Sequence, residues 1–219
     1  MNILSIAQSN EYYIIAIQEG DYFILPIVQE IFVDANVSVN DNLFKAQYIV
    51  SSNNLNITEH VPNYQYREQF MILTIQRDSR PLEIGVTNVH FFRGDRQYDN
   101  FQDYIQRRLD TAKRGNISLY VGDFNRNISQ FKEVKGEYDI LTGISTWTTE
   151  ADKHFMYEND DIDHILIASN IDVSATSAEI LETWVEWPFV RASDHHPKFV
   201  ILTLPEESRA RDQERKDIA

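Results

Sequence analysis

Ile117-Ser118-Leu119-Tyr120-Val121-Gly122-Asp123-Phe124-Asn125 passes from an apolar run to an acid and an amide through a single glycine. Ile117 to Val121 reads as a buried strand, and Gly122 ends it, so Asp123 and Asn125 leave the sheet at a loop. An aspartate there can hold a water, and an amide can hydrogen-bond a phosphate oxygen. Gly-Asp and Asn are also ordinary turn residues, so this stretch alone fits a plain turn better than a catalytic loop.

Three other segments share the form. Gln18-Glu19 closes the apolar run Ile14 to Ile17, and Asn88-Val89-His90 closes an alternating strand in which Ile84, Val86, Asn88 and His90 share one face. Ser193-Asp194-His195-His196-Pro197 precedes a last apolar run, Lys198 to Leu204. Adjacent Asp194 and His195 cannot both enter a core, so at least one faces a loop or cleft, where the acid could bind metal and the imidazole could handle protons. Each feature alone has a bland structural reading; a packed sheet fold delivers all four to one rim. A hard divalent cation with two histidines and a carboxamide is what hydrolysis of a phosphate ester requires.

Asp160, Asp161 and Asp163 stand before Ile165-Leu166-Ile167-Ala168. Two of these acids read as solvated loop residues. Asp163 alternates in register with Ile165 and Ile167, so it is expected to face the interior, where a carboxylate needs a partner and a histidine is the natural one.

The remaining strand candidates are Gln47 to Ser51, Gln69 to Gln76 and Val173 to Trp184, with Ile162 to Ala168 as the strand after the acids. One amphipathic helix is expected over Tyr98 to Lys113, where Phe101, Tyr104, Ile105, Leu109 and Ala112 form an apolar stripe. No repeat or low-complexity linker divides the chain. The expectation is a single domain over residues 1–204 and a mixed-charge tail, frayed or disordered, over residues 205–219.

The chain has 219 residues, no cysteine and a formal net charge of −14. That length allows a substantial core without disulfide support. The charge argues against a loose, sequence-blind nucleic-acid binder. It is compatible with a rim crowded by metal-binding carboxylates, because a bound cation reverses the local sign. Neither a signal peptide nor an apolar stretch of membrane length is visible, which makes a cytoplasmic protein the default expectation and leaves export without a cleavable signal open.

The order Gln-Glu, Asn-x-His, Gly-Asp-Phe-Asn, Ile-Asp-His, Ser-Asp-His-x-Pro resembles the endonuclease/exonuclease/phosphatase superfamily, of which deoxyribonuclease I is the best-known member. The match runs from about Tyr12 to Leu204. It implies an α/β fold, a two-layer β-sandwich flanked by helices, with the active rim at one end of the sheets. It also implies metal ligation by Glu19 and Asp194, and catalytic roles for His90, Asp123, Asn125, Asp163 and His195. Asp123 and Asn125 match the water-orienting and phosphate-contacting pair, and Asp163 the carboxylate that holds His195. Arg67, in Tyr66-Arg67-Glu68-Gln69, matches a segment that supplies a phosphate-binding arginine; a solvated charge at a strand end fits it as well. The implied cofactor is Mg2+, with Mn2+ as an alternative.

The chain departs from the family pattern in two places. The family begins with a strand ending in a metal-assisting asparagine, then a helix, then the strand ending in Gln-Glu. Here Ile14 comes too early for that crossover, which needs about ten to twelve residues. Asn2 to Asn10 therefore reads as the remnant of the first helix, with the first strand missing. If Ile3 to Ile6 were that strand, Ala7 would stand near the asparagine. The missing strand would leave a free sheet edge and a route to self-association. The second departure is Ala46, where a glutamate supporting the first histidine is expected, so that His90 would lack its orienting carboxylate.

Within the superfamily, Arg126 and Asp161-Ile162-Asp163-His164 depart from the inositol 5-phosphatase pattern at both of its marks. Gly122 to Arg126 is similar to the catalytic subunit of cytolethal distending toxins, a nuclease-type branch. The expected function is a magnesium-dependent nuclease acting on nucleic acid. A phosphatase on a phosphorylated lipid or small molecule is the alternative, followed by a catalytically weakened family member acting as a binding protein.

Overall fold

The computed structural model describes residues 3–20, 24–40, 46–63, 67–78, 80–91, 115–125, 139–141, 163–175, 179–180 and 198–205. The expected helix over Tyr98 to Lys113, the residues Arg126, Asp160, Asp161, Asp194, His195 and His196, and the tail beyond Pro205 lie outside the described residues. So does the side chain of Glu19, although its backbone is described.

Two sheets carry the fold. The larger has strands β4 (Asn56–Asn63), β5 (Glu68–Ile75), β6 (Leu82–His90), β7 (Ile117–Asp123), β9 (Asp163–Ser169) and β8 (Asp139–Leu141), side by side in that order. All its pairings are antiparallel except β6 with β7. A parallel pair demands a long crossover, and the chain between these two strands is where the sequence places the amphipathic helix.

The second sheet is β1 (Ile14–Gly20), β3 (Ala46–Ser51) and β2 (Asn36–Asn40), with β3 in the middle. β3 is buried throughout, whereas Ile14 to Gln18 of β1, an edge among the described residues, are half-buried. β1 packs over β6 and β7, β3 over β5 and β6, and β2 over β4. Two short pairs complete the described strands: β10 (Ser174–Ala175) with β13 (Leu202–Thr203), and β11 (Glu179–Ile180) with β12 (Lys198–Phe199).

Strand alternation explains the core. Ile84 and Val86 of β6, Ile117 and Leu119 of β7, Met71 and Leu73 of β5, and Ile167 of β9 occupy alternate positions. They form one buried cluster with Ile49 of β3, against which Tyr12, Ile14, Leu202 and Leu204 pack. Continuing each alternation to the strand end places Asn88 and His90, Asp123 and Asp163 on the same face, beyond the apolar layer. The fold thus turns from dry core to polar rim along every central strand.

The expected strands are present, most with ends shifted by one or two residues. Within Val173 to Trp184 the described strands are β10 and β11, with residues 176–178 and 181–184 outside the described residues; Lys198 to Leu204 is divided into β12 and β13. The sequence reading missed β2, β4, β8 and the helix α2 (Ile24–Ile31). Ile3–Gln8 is helical, α1, in agreement with the helix reading of Asn2 to Asn10 rather than the strand one.

Candidate active site

β6 and β7 run in parallel register, with His90 level with Asp123, and β7 pairs with antiparallel β9 so that Asp123 is level with Asp163. Three of the expected residues therefore stand in a row across neighbouring strands. Their closeness follows from register alone, because adjacent strands lie about 5 Å apart.

The strands approach closely here because Gly122 lacks a side chain. Its φ is +136°, and a Cβ at that position would collide with the backbone carbonyl of Val89. Glycine is the residue that adopts such a backbone without strain and leaves room for that carbonyl. The glycine expected to end the strand lies within it, since β7 continues to Asp123, and its missing side chain is what lets β6 and β7 close up beneath His90 and Asp123.

Asp123 and Asn125 form a compact unit. The backbone N–H of Asn125 donates to Asp123 Oδ1 at 2.7 Å, and Asn125 Nδ2 donates to Asp123 Oδ2 at 2.9 Å. Nδ2 also donates to the carbonyl of Phe91 at 2.7 Å, which fixes the orientation of the carboxamide. Asn125 holds this arrangement from a left-handed backbone, φ +50°. With both amide protons committed, its role in this state is to orient the buried carboxylate of Asp123; donation to a substrate oxygen requires one of these bonds to exchange.

His90 is buried, with Nε2 3.7 Å from Asp123 Oδ2 and Nδ1 3.4 Å from Arg67 Nη1. The backbone reinforces the link, since His90 N–H donates to the Arg67 carbonyl at 3.1 Å. Arg67 has φ +50° and immediately precedes β5, so its unusual backbone turns the chain into the strand beside His90. Ala46 is buried at the start of β3, as an apolar residue there should be. No carboxylate can come from that position, and the carboxylate that does stand near His90 is that of Asp123, at 3.7 Å and beyond hydrogen-bond distance.

The sequence reading passed over Glu68. This carboxylate is buried next to Arg67 and level with Val89, and its Oε1 accepts a hydrogen bond from the buried Tyr120 hydroxyl at 3.1 Å. The available signal was an acid inside the strand-opening segment Arg67-Glu68-Gln69-Phe70. On the face of the large sheet turned away from β1, Phe124 packs edge-on to Phe91 at 5.4 Å and to His164 at 5.2 Å, and it also contacts Tyr120 at 5.5 Å. These rings back the rim. Asp163 is half-buried on the same face as Ile165 and Ile167, as expected, while its neighbour His164 is fully buried on the other.

Glu19 reaches the same end of the sandwich by its backbone. Gln18, one residue before it, donates from Nε2 to Asn88 Oδ1 at 2.6 Å, and Asn88 is two residues from His90. The rim thus collects Arg67, His90, Asp123, Asn125, Asp163 and the main chain of Glu19. Among the described residues, no group of three or more His, Cys, Asp or Glu side chains forms a metal site. The two acids that the resemblance assigns to the metal, Glu19 by its side chain and Asp194 entirely, lie outside them. The described side-chain oxygens, from the carboxylates of Asp123 and Asp163 and the carboxamide of Asn125, are hard donors of the kind that suit a hard divalent cation rather than a soft metal.

The two-layer sandwich is the fold of solved endonuclease/exonuclease/phosphatase family proteins. No family model matches the sequence, and no curated protein does. Solved structures do. Humanized D. rerio TDP2 carrying 14 mutations matches with a TM-score of 0.69 and 13% identity, over 92% of this chain and 90% of that one. D. rerio TDP2 complexed with single-strand DNA product matches with a TM-score of 0.65 and 13% identity, over 86% and 84%. An endonuclease/exonuclease/phosphatase family protein from Bacteroides thetaiotaomicron matches with a TM-score of 0.63 and 15% identity, over 91% and 86%. At such identities the likeness is one of fold. Among the described residues, no helix is long and apolar enough to cross a membrane.

Proposed function

We propose that the protein is a metal-dependent phosphodiesterase, a nuclease that cleaves by in-line attack of water on phosphorus. The observation that carries this is the Asp123 carboxylate, oriented by two hydrogen bonds from Asn125 and flanked by His90 at 3.7 Å. A carboxylate so fixed can orient and deprotonate a water, and an imidazole beside it can stabilise or protonate the leaving oxygen. Arg67, turned toward His90, supplies a cation for a phosphate oxygen. Asp163, level with Asp123, is the partner assigned to His195. Glu19 and Asp194 would hold a Mg2+ ion, or Mn2+, which when bound supplies charge neutralisation at the phosphate.

Nucleic acid is the proposed substrate. The structural likeness to a TDP2 complexed with single-strand DNA product supports that choice, as does the departure from the inositol 5-phosphatase pattern. Self-association through β1 belongs to the same reading. That strand pairs only with β3 among the described residues, and its Ile14 to Gln18 are half-buried. A clean monomer in size-exclusion chromatography would count against it.

A plasmid-nicking assay with and without magnesium, run beside Asp123→Ala, tests the function. Nicking that needs magnesium and vanishes in the variant is expected. Cleavage that survives the substitution rejects the site. Phosphate release from inositol lipids without nicking favours a phosphatase, and silence in both assays from a folded protein favours a binding role.

A further inference from the structure

A chain of carboxamides, buried at Asn88, Gln47 and Asn40 and half-buried at Gln18, joins the two sheets directly behind the rim. Asn88, on β6, is fully buried and reaches across the sandwich. Its Nδ2 donates to the carbonyls of Ile17, at 3.2 Å, and Tyr48, at 3.1 Å, which belong to β1 and β3. Those carbonyls fix which end of the amide is nitrogen, so Asn88 Oδ1 must accept, and Gln18 Nε2 donates to it at 2.6 Å. From the other side, Gln47 Nε2 donates to the Asn88 carbonyl at 3.3 Å, and Asn40 Nδ2 donates to Gln47 Oε1 at 2.8 Å.

The place where Asn88 lands is specific. Ile17 and Tyr48 are the last regular pair of the β1 and β3 ladder, and the register shifts before the next pair, Gly20 with Ala46. The extra residue of this bulge falls at Gln18-Glu19. A bulge leaves ladder groups unpaired and re-aims the chain that follows. Here a side chain from the opposite sheet donates to both carbonyls of the last regular pair. Gly20 completes the device, since a Cβ there would press on the Tyr48 ring.

We propose that Asn88 and Gln18 are positioning residues for Glu19. Asn88 clamps the β1 bulge to the strand that carries His90, and the Gln18 amide locks the clamp, so the backbone bearing the acid is set relative to the imidazole from across the sandwich. This rests on the reading of Glu19 as a metal-holding acid. Groups that orient a metal ligand without touching the metal typically change affinity by about tenfold to a hundredfold when removed.

The test is Mn2+ binding followed by electron paramagnetic resonance on the protein without substrate, comparing wild type, Glu19→Ala, Gln18→Met and Gln18→Asn. Gln18→Met keeps length and loses the amide; Gln18→Asn keeps the amide and loses reach, which covers the case in which the first variant fails to fold. The expected result is Mn2+ affinity about tenfold or more weaker in both Gln18 variants, with a native circular dichroism spectrum and with kcat restored at saturating metal. Wild-type affinity in a folded Gln18 variant, while Glu19→Ala binds weakly, overturns the positioning role alone. Wild-type affinity in Glu19→Ala as well overturns the metal assignment and the positioning role with it.

Discussion

His90 Nε2 stands 3.7 Å from Asp123 Oδ2, and the two residues sit level on neighbouring parallel strands. The sheet itself sets this relationship, so a substitution at His90 should remove proton chemistry without disturbing the carboxylate. His90→Gln is expected to slow phosphodiester cleavage by about a hundredfold to ten-thousandfold, the usual range for a lost general acid or base. Single-turnover kinetics beside a thermal melt checks both halves: a large rate loss and little change in melting temperature.

Asn125 holds Asp123 from a backbone with φ +50°. Asn125→Ala and Asn125→Gly both lose the carboxamide that orients Asp123, and each is expected to lower the rate by roughly a hundredfold, as for a misplaced catalytic group. Glycine accepts this backbone freely and alanine does not. The two variants should therefore be alike in activity and separate in stability, with the glycine variant the more stable in urea unfolding.

Gly122→Ala is expected to be among the most damaging single changes to the fold. Backbone strain at φ +136° alone costs about 1 to 3 kcal/mol, and the methyl group would also force β6 and β7 apart at Val89. Denaturant unfolding should show a loss beyond that range, and whatever folds should be inactive because His90 and Asp123 are no longer level.

His60 offers a pH test away from the rim. The residue is largely exposed, yet desolvation of its ring lowers its pKa from 6.5. Because the folded value lies below the unfolded one, the neutral ring favours the native state. That contribution is fully present above pH 6.5 and is lost as the pH falls through the folded value. An NMR titration should place the His60 imidazole below its usual range, and His60→Gln should flatten the acid side of the stability profile.

Much of the rim was legible because strand alternation is a local signal. Ile84, Val86, Asn88 and His90 share a face in the sequence and in the fold, whereas β7 runs on through Gly122 to Asp123 instead of ending at the glycine. What stayed hidden depends on contacts distant in sequence. Nothing near Asn88 indicates that its amide would close a bulge on β1, seventy-one residues from Ile17 in the chain. Glu68 was passed over because its partner, Tyr120, lies fifty-two residues away. β2 and β4 were missed because their polar residues, Asn36, Ser38 and Asn40 among them, lack a continuous apolar run; pairing with neighbouring strands fixes them instead.

Convergence of Glu19, His90, Asp123, Asp163, Asp194 and His195 on one cation is tested most directly by anomalous diffraction from a crystal soaked in Mn2+. The expected result is a single strong peak at the rim, with carboxylate oxygens of Glu19 and Asp194 at metal-ligand distance and Asp123 facing it. A peak elsewhere, or Glu19 and Asp194 in separate regions of the molecule, would contradict the assignment of this rim as a hydrolytic centre.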